Sequence, residues 1–300
     1  MGSERIGEIL SCVNKEEKCE ITIEANPGHL GRENCSFDFE LLQRSGVNRV
    51  SLGLQSAVNS ERKSLGRVAG VNEAARAIER LKEAGIDNIS LDLMLGVPGQ
   101  TKESLDRSLD FCINAGIKHI SAYILKIEEG TPYEKLAPQL NLPGEDEACN
   151  FYLYTCEELE KADFMQYEIS NFALPGYESR HNLKYWKGEE YLGLGPAAHS
   201  FIGGRRFYFE RDINAFLSGC EPIPDGPGGG SDEFIMLSLR LTEGLKFEDY
   251  YKKFGTPFPE KAIEKAREYE KHGLTLVTND GISLTKKGFL LSNSIIAELI

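Results

Sequence analysis

The chain has 300 residues, of which 41% are hydrophobic and 27% charged, so it can bury the core of one large and one smaller domain. Its formal net charge of -13 at pH 7 argues against a nucleic-acid interface, because phosphate binding needs clustered Lys and Arg side chains. No apolar run approaches the roughly 18 residues of a membrane helix, and no signal peptide is recognisable, so we expect a cytoplasmic protein that is not an integral membrane protein.

From residue 20 to about residue 130 one unit repeats, a short apolar run followed by a turn and an amphipathic stretch with helical spacing. The amphipathic stretches end at glycines such as Gly85 and Gly116, which is typical of helix C-termini. The apolar runs predict four strands, at 20–24, 49–54, 89–94 and 119–125. Alternating strands and helices imply an α/β fold with a parallel sheet, either open and doubly wound or closed into a full or partial barrel.

Polar side chains lie near the ends of these strands, at the edge where parallel α/β folds carry their active sites. Glu24 and Gln55 end the first two strands, and Glu128 and Glu129 follow the fourth. Asp92 lies inside an apolar run, where an ionised carboxylate is costly unless a donor or a ligand faces it. Each residue alone could be a helix cap or a buried polar side chain, but together they predict a shared polar rim.

A polar and aromatic region follows at 167–200, with the only tryptophan, several tyrosines and two of the five histidines. Imidazole can ligate iron, aromatic faces can cover a macrocycle, and the pair Gly193 and Gly195 permits close backbone approach. These residue types fit a flat aromatic ligand, and they fit a polar corner of the core equally well.

The Pro- and Gly-rich segment 221–231 is predicted to be a linker between a domain at 1–220 and a domain at 232–300. No G-K-[ST] follows the segment, so it is not a phosphate-binding loop.

The C-terminal domain has the pattern of a winged helix, two helices followed by two short strands. The turn Asn279-Asp280-Gly281 between those strands favours a hairpin, because Asp-Gly tolerates positive φ angles. The acidity of the chain favours a structural or partner-docking role for this domain over nucleic-acid binding.

Five motifs, in this order along the chain, resemble the oxygen-independent coproporphyrinogen oxidase family of radical S-adenosylmethionine (SAM) proteins. They are I-E-A-N-P at 23–27, G-V-N-R-V-S-L-G-L-Q-S at 46–56, L-G-R at 65–67, L-D-L-M-L-G-V-P-G-Q-T at 91–101 and H-N-L-K-Y-W at 181–186. The resemblance implies a partial six-stranded β/α barrel, here without its first strands, followed by a helical and winged-helix-like domain.

The resemblance also implies where SAM would bind. Glu24 and Arg67 correspond to residues that hold the carboxylate end of SAM, and Gln55 and Asp92 to residues that hold its ribose hydroxyls. Lys126 corresponds to a position that touches the cofactor through its backbone. These roles suit the residue types, because Arg grips a carboxylate with a fork of donors and Asp accepts from a cis-diol.

The H-N-x-x-Y-W signature and the segment G-L-G-P-A-A-H-S at 193–200 resemble the heme-chaperone branch of this family. That branch implies a protein that binds heme and passes it to acceptors such as membrane-bound respiratory cytochromes. The resemblance makes His181 and His199 the candidate iron ligands, with Asn182, Tyr185 and Trp186 in the same heme site. Two alternatives are a decarboxylating oxygen-independent coproporphyrinogen III oxidase and a cluster-free protein that docks a partner.

The C-x-x-x-C-x-x-C motif that gives this family its [4Fe-4S] cluster is absent, as is the family's G-G-G-T-P motif. The seven cysteines contain no C-x-x-C pair, so we expect reduced structural thiols. Without an electron source the chain is expected not to cleave SAM, and we assign no catalytic residue. Three explanations of the missing motifs remain open: a truncated chain, a shortened gene model and natural loss of the cluster.

Overall fold

The computed structural model describes the backbone of residues 1–300 and every side chain except that of residue 132. The chain divides into two units, Met1–Glu178 and Ser179–Ile300. The domain limits expected from sequence, 1–220 and 232–300 with a linker between them, stay a prediction. Among the described residues, no helix is both long enough and apolar enough to cross a membrane.

The first unit alternates strands and helices up to its fourth strand. Its elements are α1 (Ser3–Ser11), β1 (Thr22–Ala25), α2 (Pro27–Leu30), α3 (Phe39–Arg44), β2 (Arg49–Gln55), α4 (Asn59–Ser64), α5 (Val71–Glu83), β3 (Asn88–Leu95), α6 (Lys102–Asn114), β4 (His119–Ile124), α7 (Pro132–Leu136), α8 (Glu145–Lys161), β5 (Met165–Gln166) and β6 (Asn171–Ala173). All four predicted strands are confirmed. Gly85 and Gly116, just beyond α5 and α6, have φ angles of 83° and 67°, a conformation that favours glycine.

The strands of the first unit form one six-stranded sheet in the order β1-β2-β3-β4-β6-β5. The pairs β1 with β2, β2 with β3, and β3 with β4 are parallel, whereas β6 runs antiparallel to β4 and β5. Helices α5 and α6 connect consecutive neighbouring strands and contact β2 and β3, as right-handed crossovers between parallel strands would require. This order matches a partial barrel, because a doubly wound sheet reverses its strand order at a switch point.

The two faces of this sheet differ in polarity. On one face the side chains are apolar and buried, for example Val50, Leu52 and Leu91, and helices α5 and α6 contact β2 and β3. On the other face, which we call the polar face, strand register and alternation bring together mainly polar residues. They are Thr22 and Glu24 of β1, Arg49 and Ser51 of β2, Asn88, Ser90, Asp92 and Met94 of β3, and His119, Ser121 and Tyr123 of β4. The polar side chains of these four strands therefore lie mainly on one face of the partial barrel.

The second unit is built from short strands and helices. Its elements are α9 (Arg180–Trp186), β7 (His199–Ile202), β8 (Arg205–Tyr208), α10 (Ile213–Leu217), β9 (Ile223–Pro227), α11 (Ser231–Ser238), β10 (Leu245–Lys246), α12 (Phe247–Phe254), α13 (Glu260–Glu270), β11 (Thr275–Val277), β12 (Gly281–Leu284), α14 (Lys286–Leu290) and α15 (Ser292–Leu299). Strands β7, β8 and β9 form one antiparallel sheet, and β10, β12 and β11 form another.

Part of the segment expected to be a linker is a strand. Strand β9 lies within 221–231 and pairs with β8 at the edge of its sheet. An edge strand tolerates proline because one side of its backbone needs no partner, so Pro224 and Pro227 do not prevent pairing.

The predicted hairpin near the C-terminus is confirmed by the antiparallel pairing of β11 with β12. The physical reason given for its glycine was wrong, because Gly281 lies outside the left-handed region. A Cβ atom built on Gly281 would lie 2.0 Å from the carbonyl oxygen of Leu245 in β10. Glycine is therefore needed for the close approach of two strands.

Candidate functional site

Asp92 lies on the polar face of the first unit with the donor that its buried position requires. The Ser51 hydroxyl donates to Asp92 Oδ1 at 3.0 Å. Burial raises the pKa of Asp92, and the nearby Glu24 carboxylate raises it further, whereas hydrogen bonds from Ser51 and Ser121 lower it. Glu24 is thus close enough for its carboxylate to act on the pKa of Asp92.

Gln55 ends β2 in an unusual conformation, with a φ angle of 70°. Its side-chain Nε2 lies 2.9 Å from the position that a Cβ atom on Gly53 would occupy. The regular alternation of β2 is interrupted here by a register shift between Leu52 and Gln55, and Gln55 pairs with Leu93 of β3. The absence of a side chain at Gly53 therefore leaves room for the Gln55 amide at the end of β2.

The two remaining predicted SAM residues lie on loops. Arg67 is exposed and lines a small cavity together with Asn26 and Gly53. Lys126 follows β4, is exposed, and forms an ion pair with Glu128 at 3.0 Å. The structure thus brings Glu24 and Asp92 together on the polar face. It places the Gln55 amide against Gly53, which lines a cavity with Arg67, whereas the Lys126 side chain is paired with Glu128.

A buried cluster that the sequence analysis missed holds the loop between Gln55 and Arg67. The Arg62 guanidinium donates to the Ser56 carbonyl oxygen and to Asn59 Oδ1, and the Arg62 carbonyl accepts from the backbone N–H of Arg67 at 2.8 Å. The Ser56 hydroxyl also donates to Glu61 at 2.6 Å. Arg62 therefore connects the end of β2 to the position of Arg67.

A second missed cluster surrounds His119, which is fully buried on the polar face. His119 Nδ1 is 2.7 Å from the Ser90 hydroxyl, and Nε2 is 2.7 Å from the Tyr167 hydroxyl. Burial lowers the pKa of His119 well below its ordinary value, so the imidazole is neutral. The alternation Arg49, Ser51 and His119, Ser121 in otherwise apolar strands was the sequence signal for this face.

In the second unit, α9 carries the H-N-x-x-Y-W signature. Ser179 caps the helix by accepting from the backbone N–H of Asn182, which lies in the first turn. His181 and Tyr185 are one turn apart, and their rings meet edge to face with centroids 4.9 Å apart. Trp186 is half-buried, and its Nε1 has no hydrogen-bond partner among the described residues.

Tyr191 connects this helix to the β7-β8-β9 sheet. Its ring centroid lies 4.5 Å from that of Tyr185, and its backbone forms a bridge with Phe201 of β7. Paired residues share a face of a sheet, and so do residues two apart, so Tyr191 lies on the same face as His199. His199 in turn stacks on Tyr208 with centroids 4.9 Å apart and an interplanar angle of 18°.

We call this set the aromatic row: His181, Tyr185, Tyr191, His199 and Tyr208. Tyr185 and Tyr191 follow His181 in direct ring contact, Tyr191 shares a sheet face with His199, and Tyr208 stacks on His199. Tyr191 was within the region predicted from sequence, whereas Tyr208 had no local signal, because only strand pairing brings it to His199.

The glycine-rich segment before β7 packs closely against the backbone of that strand. A Cβ atom built on Gly193 would lie 2.2 Å from the carbonyl oxygen of His199, and the Gly193 N–H donates to the Ser200 hydroxyl at 2.9 Å. The close approach expected at this glycine is therefore to the chain's own strand.

The cysteines do not fit an iron–sulfur cluster. All seven are free thiols, and the described residues contain no group of three His, Cys, Asp or Glu side chains that could hold a metal ion.

Comparison with known proteins agrees with this arrangement of elements. Residues 2–112 match the family model of the radical SAM superfamily, and residues 232–291 match that of the HemN C-terminal domain. The heme chaperone HemW of Lactococcus lactis is 32% identical over 290 residues, which cover 94% of this chain and 75% of the relative. The chain belongs to the HemW family.

Other HemW proteins support the assignment. HemW of Bacillus subtilis is 30% identical over 315 residues, covering all of this chain and 82% of the relative, and that of Escherichia coli is 39% identical over 232 residues, covering 75% and 60%. The solved structure of the E. coli coproporphyrinogen III oxidase HemN, a radical SAM enzyme, superposes with a TM-score of 0.80 at 18% identity, covering 100% of this chain and 74% of HemN. The fold is therefore the α/β fold of HemN, with its C-terminal domain.

Proposed function

We propose that the chain binds heme on the aromatic row and passes it to acceptor proteins. The observation that carries this proposal is the arrangement of both histidines with tyrosines. His181 contacts Tyr185, which contacts Tyr191. Tyr191 shares a sheet face with His199, which stacks on Tyr208. Imidazole nitrogen ligates heme iron, and aromatic faces pack against a porphyrin ring. HemW relatives are named heme chaperones, which supports the same cargo for this chain.

The five residues expected at the heme site have separate roles in this proposal. His181 and His199 supply candidate nitrogen ligands, and Tyr185 and Trp186 supply packing surface beside His181. Asn182 carries an amide that can bond a propionate oxygen. Acceptors would be heme proteins such as respiratory cytochromes, some of them in the membrane, and the free cysteines suit the reducing environment of the cytoplasm.

The heme proposal is tested by titrating the purified chain with hemin and recording the Soret band. We expect heme binding to weaken at least about tenfold in His181→Ala and in His199→Ala, because each variant removes a candidate ligand of the heme iron. His272→Ala is the matched control, since it removes an exposed histidine from the turn after α13. Spectra unchanged in both variants would remove the aromatic row as the heme site.

We also propose that the polar face retains a site for SAM. Glu24 and Arg67 would hold its carboxylate end, Gln55 and Asp92 its ribose hydroxyls, and the backbone of Lys126 would contact it. Bound with a [4Fe-4S] cluster, SAM supplies radical chemistry in this superfamily. The cysteines of this chain do not fit that cluster, so the proposal is limited to binding.

SAM binding is tested by isothermal titration calorimetry. Asp92→Asn should weaken SAM binding about tenfold or more, because a hydrogen bond to an ionised group contributes roughly 1.5–3 kcal/mol. The control Asp87→Asn removes an exposed carboxylate just before the same strand. Equal affinity in the wild type and Asp92→Asn, or no binding by the wild type, would refute the proposed site.

A further inference from the structure

His199 makes one backbone contact and two side-chain contacts with its surroundings. His199 is the first residue of β7, and its backbone carbonyl lies against Gly193. Its ring stacks on Tyr208. Its Nδ1 lies 3.6 Å from Oδ2 of Asp225, a residue of strand β9. Ile223 pairs with Tyr208, and a register shift follows Pro224, so Asp225 lies at an irregular point of β9 beside the His199 ring.

The contact between Asp225 and His199 contributes little to stability. The two side chains are 47% and 57% exposed, and solvent screens an exposed pair of this kind. Its chemical consequence is instead a choice of tautomer, because a carboxylate beside Nδ1 favours a proton on that nitrogen. The lone pair then resides on Nε2, which forms no hydrogen bond to the described residues.

A carboxylate behind an imidazole is the arrangement by which proteins orient metal-ligating histidines. We infer that His199 binds the heme iron through Nε2 and that Asp225 is its positioning residue. This inference rests on the proposed heme function and assigns the ligand within it. His181 lies at the other end of the aromatic row, on α9, where its ring meets the edge of Tyr185.

The first experiment is a hemin titration of Asp225 and His199 variants. Asp225→Ala should weaken heme binding by about 10–100-fold, the usual effect of removing such a carboxylate. Asp225→Asn keeps an acceptor oxygen and should have an intermediate affinity. In His199→Ala the Soret band of the wild-type complex should be lost and should return on addition of free imidazole, which replaces the missing nitrogen. Glu221→Gln, which removes an exposed charge near β9, should bind as the wild type does.

A second experiment examines the ligand-free protein. Nitrogen-15 NMR of the histidine rings at about pH 8, where neutral imidazole predominates, should show the proton of His199 on Nδ1 in the wild type. In Asp225→Ala it should move to Nε2.

The outcomes separate the two proposals. A wild type that binds heme while Asp225→Ala binds it equally well, with the same spectrum, refutes the role of Asp225 and leaves the heme function standing. A His199 proton on Nε2 in the wild type refutes the positioning contact directly. A wild type that does not bind heme refutes the proposed function and the iron ligand with it, whatever the tautomer.

Discussion

The carboxyl group of Asp92 is subject to opposing influences on its charge. Burial and the Glu24 carboxylate favour the protonated form, whereas the Ser51 and Ser121 hydroxyls and the Arg49 guanidinium favour the ionised form. Burial is the largest of these, so the pKa is raised above its ordinary value of 3.8. A carboxyl whose pKa is raised by folding binds its proton more tightly in the native than in the unfolded state.

This raised pKa gives a prediction for stability. The contribution of Asp92 is fully present below its unfolded pKa and is lost as the pH rises through its folded pKa. Asp92→Asn replaces the carboxylate by a neutral group of the same shape, so its unfolding free energy relative to the wild type should increase as the pH rises. Urea denaturation at a series of pH values between about 4 and 8 measures the difference. If the stability of Asp92→Asn relative to the wild type stayed constant or fell as the pH rose, the raised pKa of Asp92 would be contradicted.

Each candidate site depends on short elements that bring distant residues together. Helix α9 presents His181 and Tyr185 one turn apart, and the bridge from Tyr191 to β7 adds His199 to the same surface. In the first unit, the Arg62 cluster ties the end of β2 to the loop that carries Arg67. The aromatic row relies on backbone pairing that no local pattern specifies, whereas the Arg62 cluster is formed by hydrogen bonds between residues close in sequence.

The sequence was sufficient for elements with strong local patterns. Four parallel strands, the glycine-ended helices and the C-terminal hairpin were predicted because their periodicity and turn residues are local. Strand β9 was missed because proline normally argues against a strand, and only its edge position removes that objection. The contact of Asp225 with His199 could not be predicted for the same reason, since it depends on β9 being paired.

The C-terminal sheet offers a test of one such pairing. In Gly281→Ala the added Cβ would meet the Leu245 carbonyl oxygen at 2.0 Å, so β10 and β12 must separate. We expect a loss of about 1–3 kcal/mol of unfolding free energy, typical of overpacking. Gly230→Ala is the matched control, because nothing lies within 4 Å of its Cβ position and its φ angle of -69° suits alanine. Urea denaturation followed by circular dichroism should separate the two variants, and equal stabilities would disprove the steric argument.

Across the whole chain, the seven cysteines differ in burial, and no three of them form a group. Cys112 and Cys156 are buried, Cys12 is exposed, and the other four are half-buried. A [4Fe-4S] cluster needs three thiolates close together. Anaerobic reconstitution with iron and sulfide should therefore give no broad visible absorption, and one cluster per chain, bound by the native cysteines, would contradict this expectation.

Thiol reactivity should follow the same burial pattern. The thiolate is the reactive form, and burial raises the pKa of the Cys112 thiol far above its ordinary value, with a further increase from the charge of Asp92. Cys112 and Cys156 should therefore react with N-ethylmaleimide at least about 100-fold more slowly than Cys12, because they must wait for local opening of the fold. Mass spectrometry of peptides from a labelling time course measures each rate, and labelling in urea supplies the unfolded reference. If Cys112 or Cys156 reacted in native protein as fast as Cys12, the buried positions of α6 and α8 would be wrong.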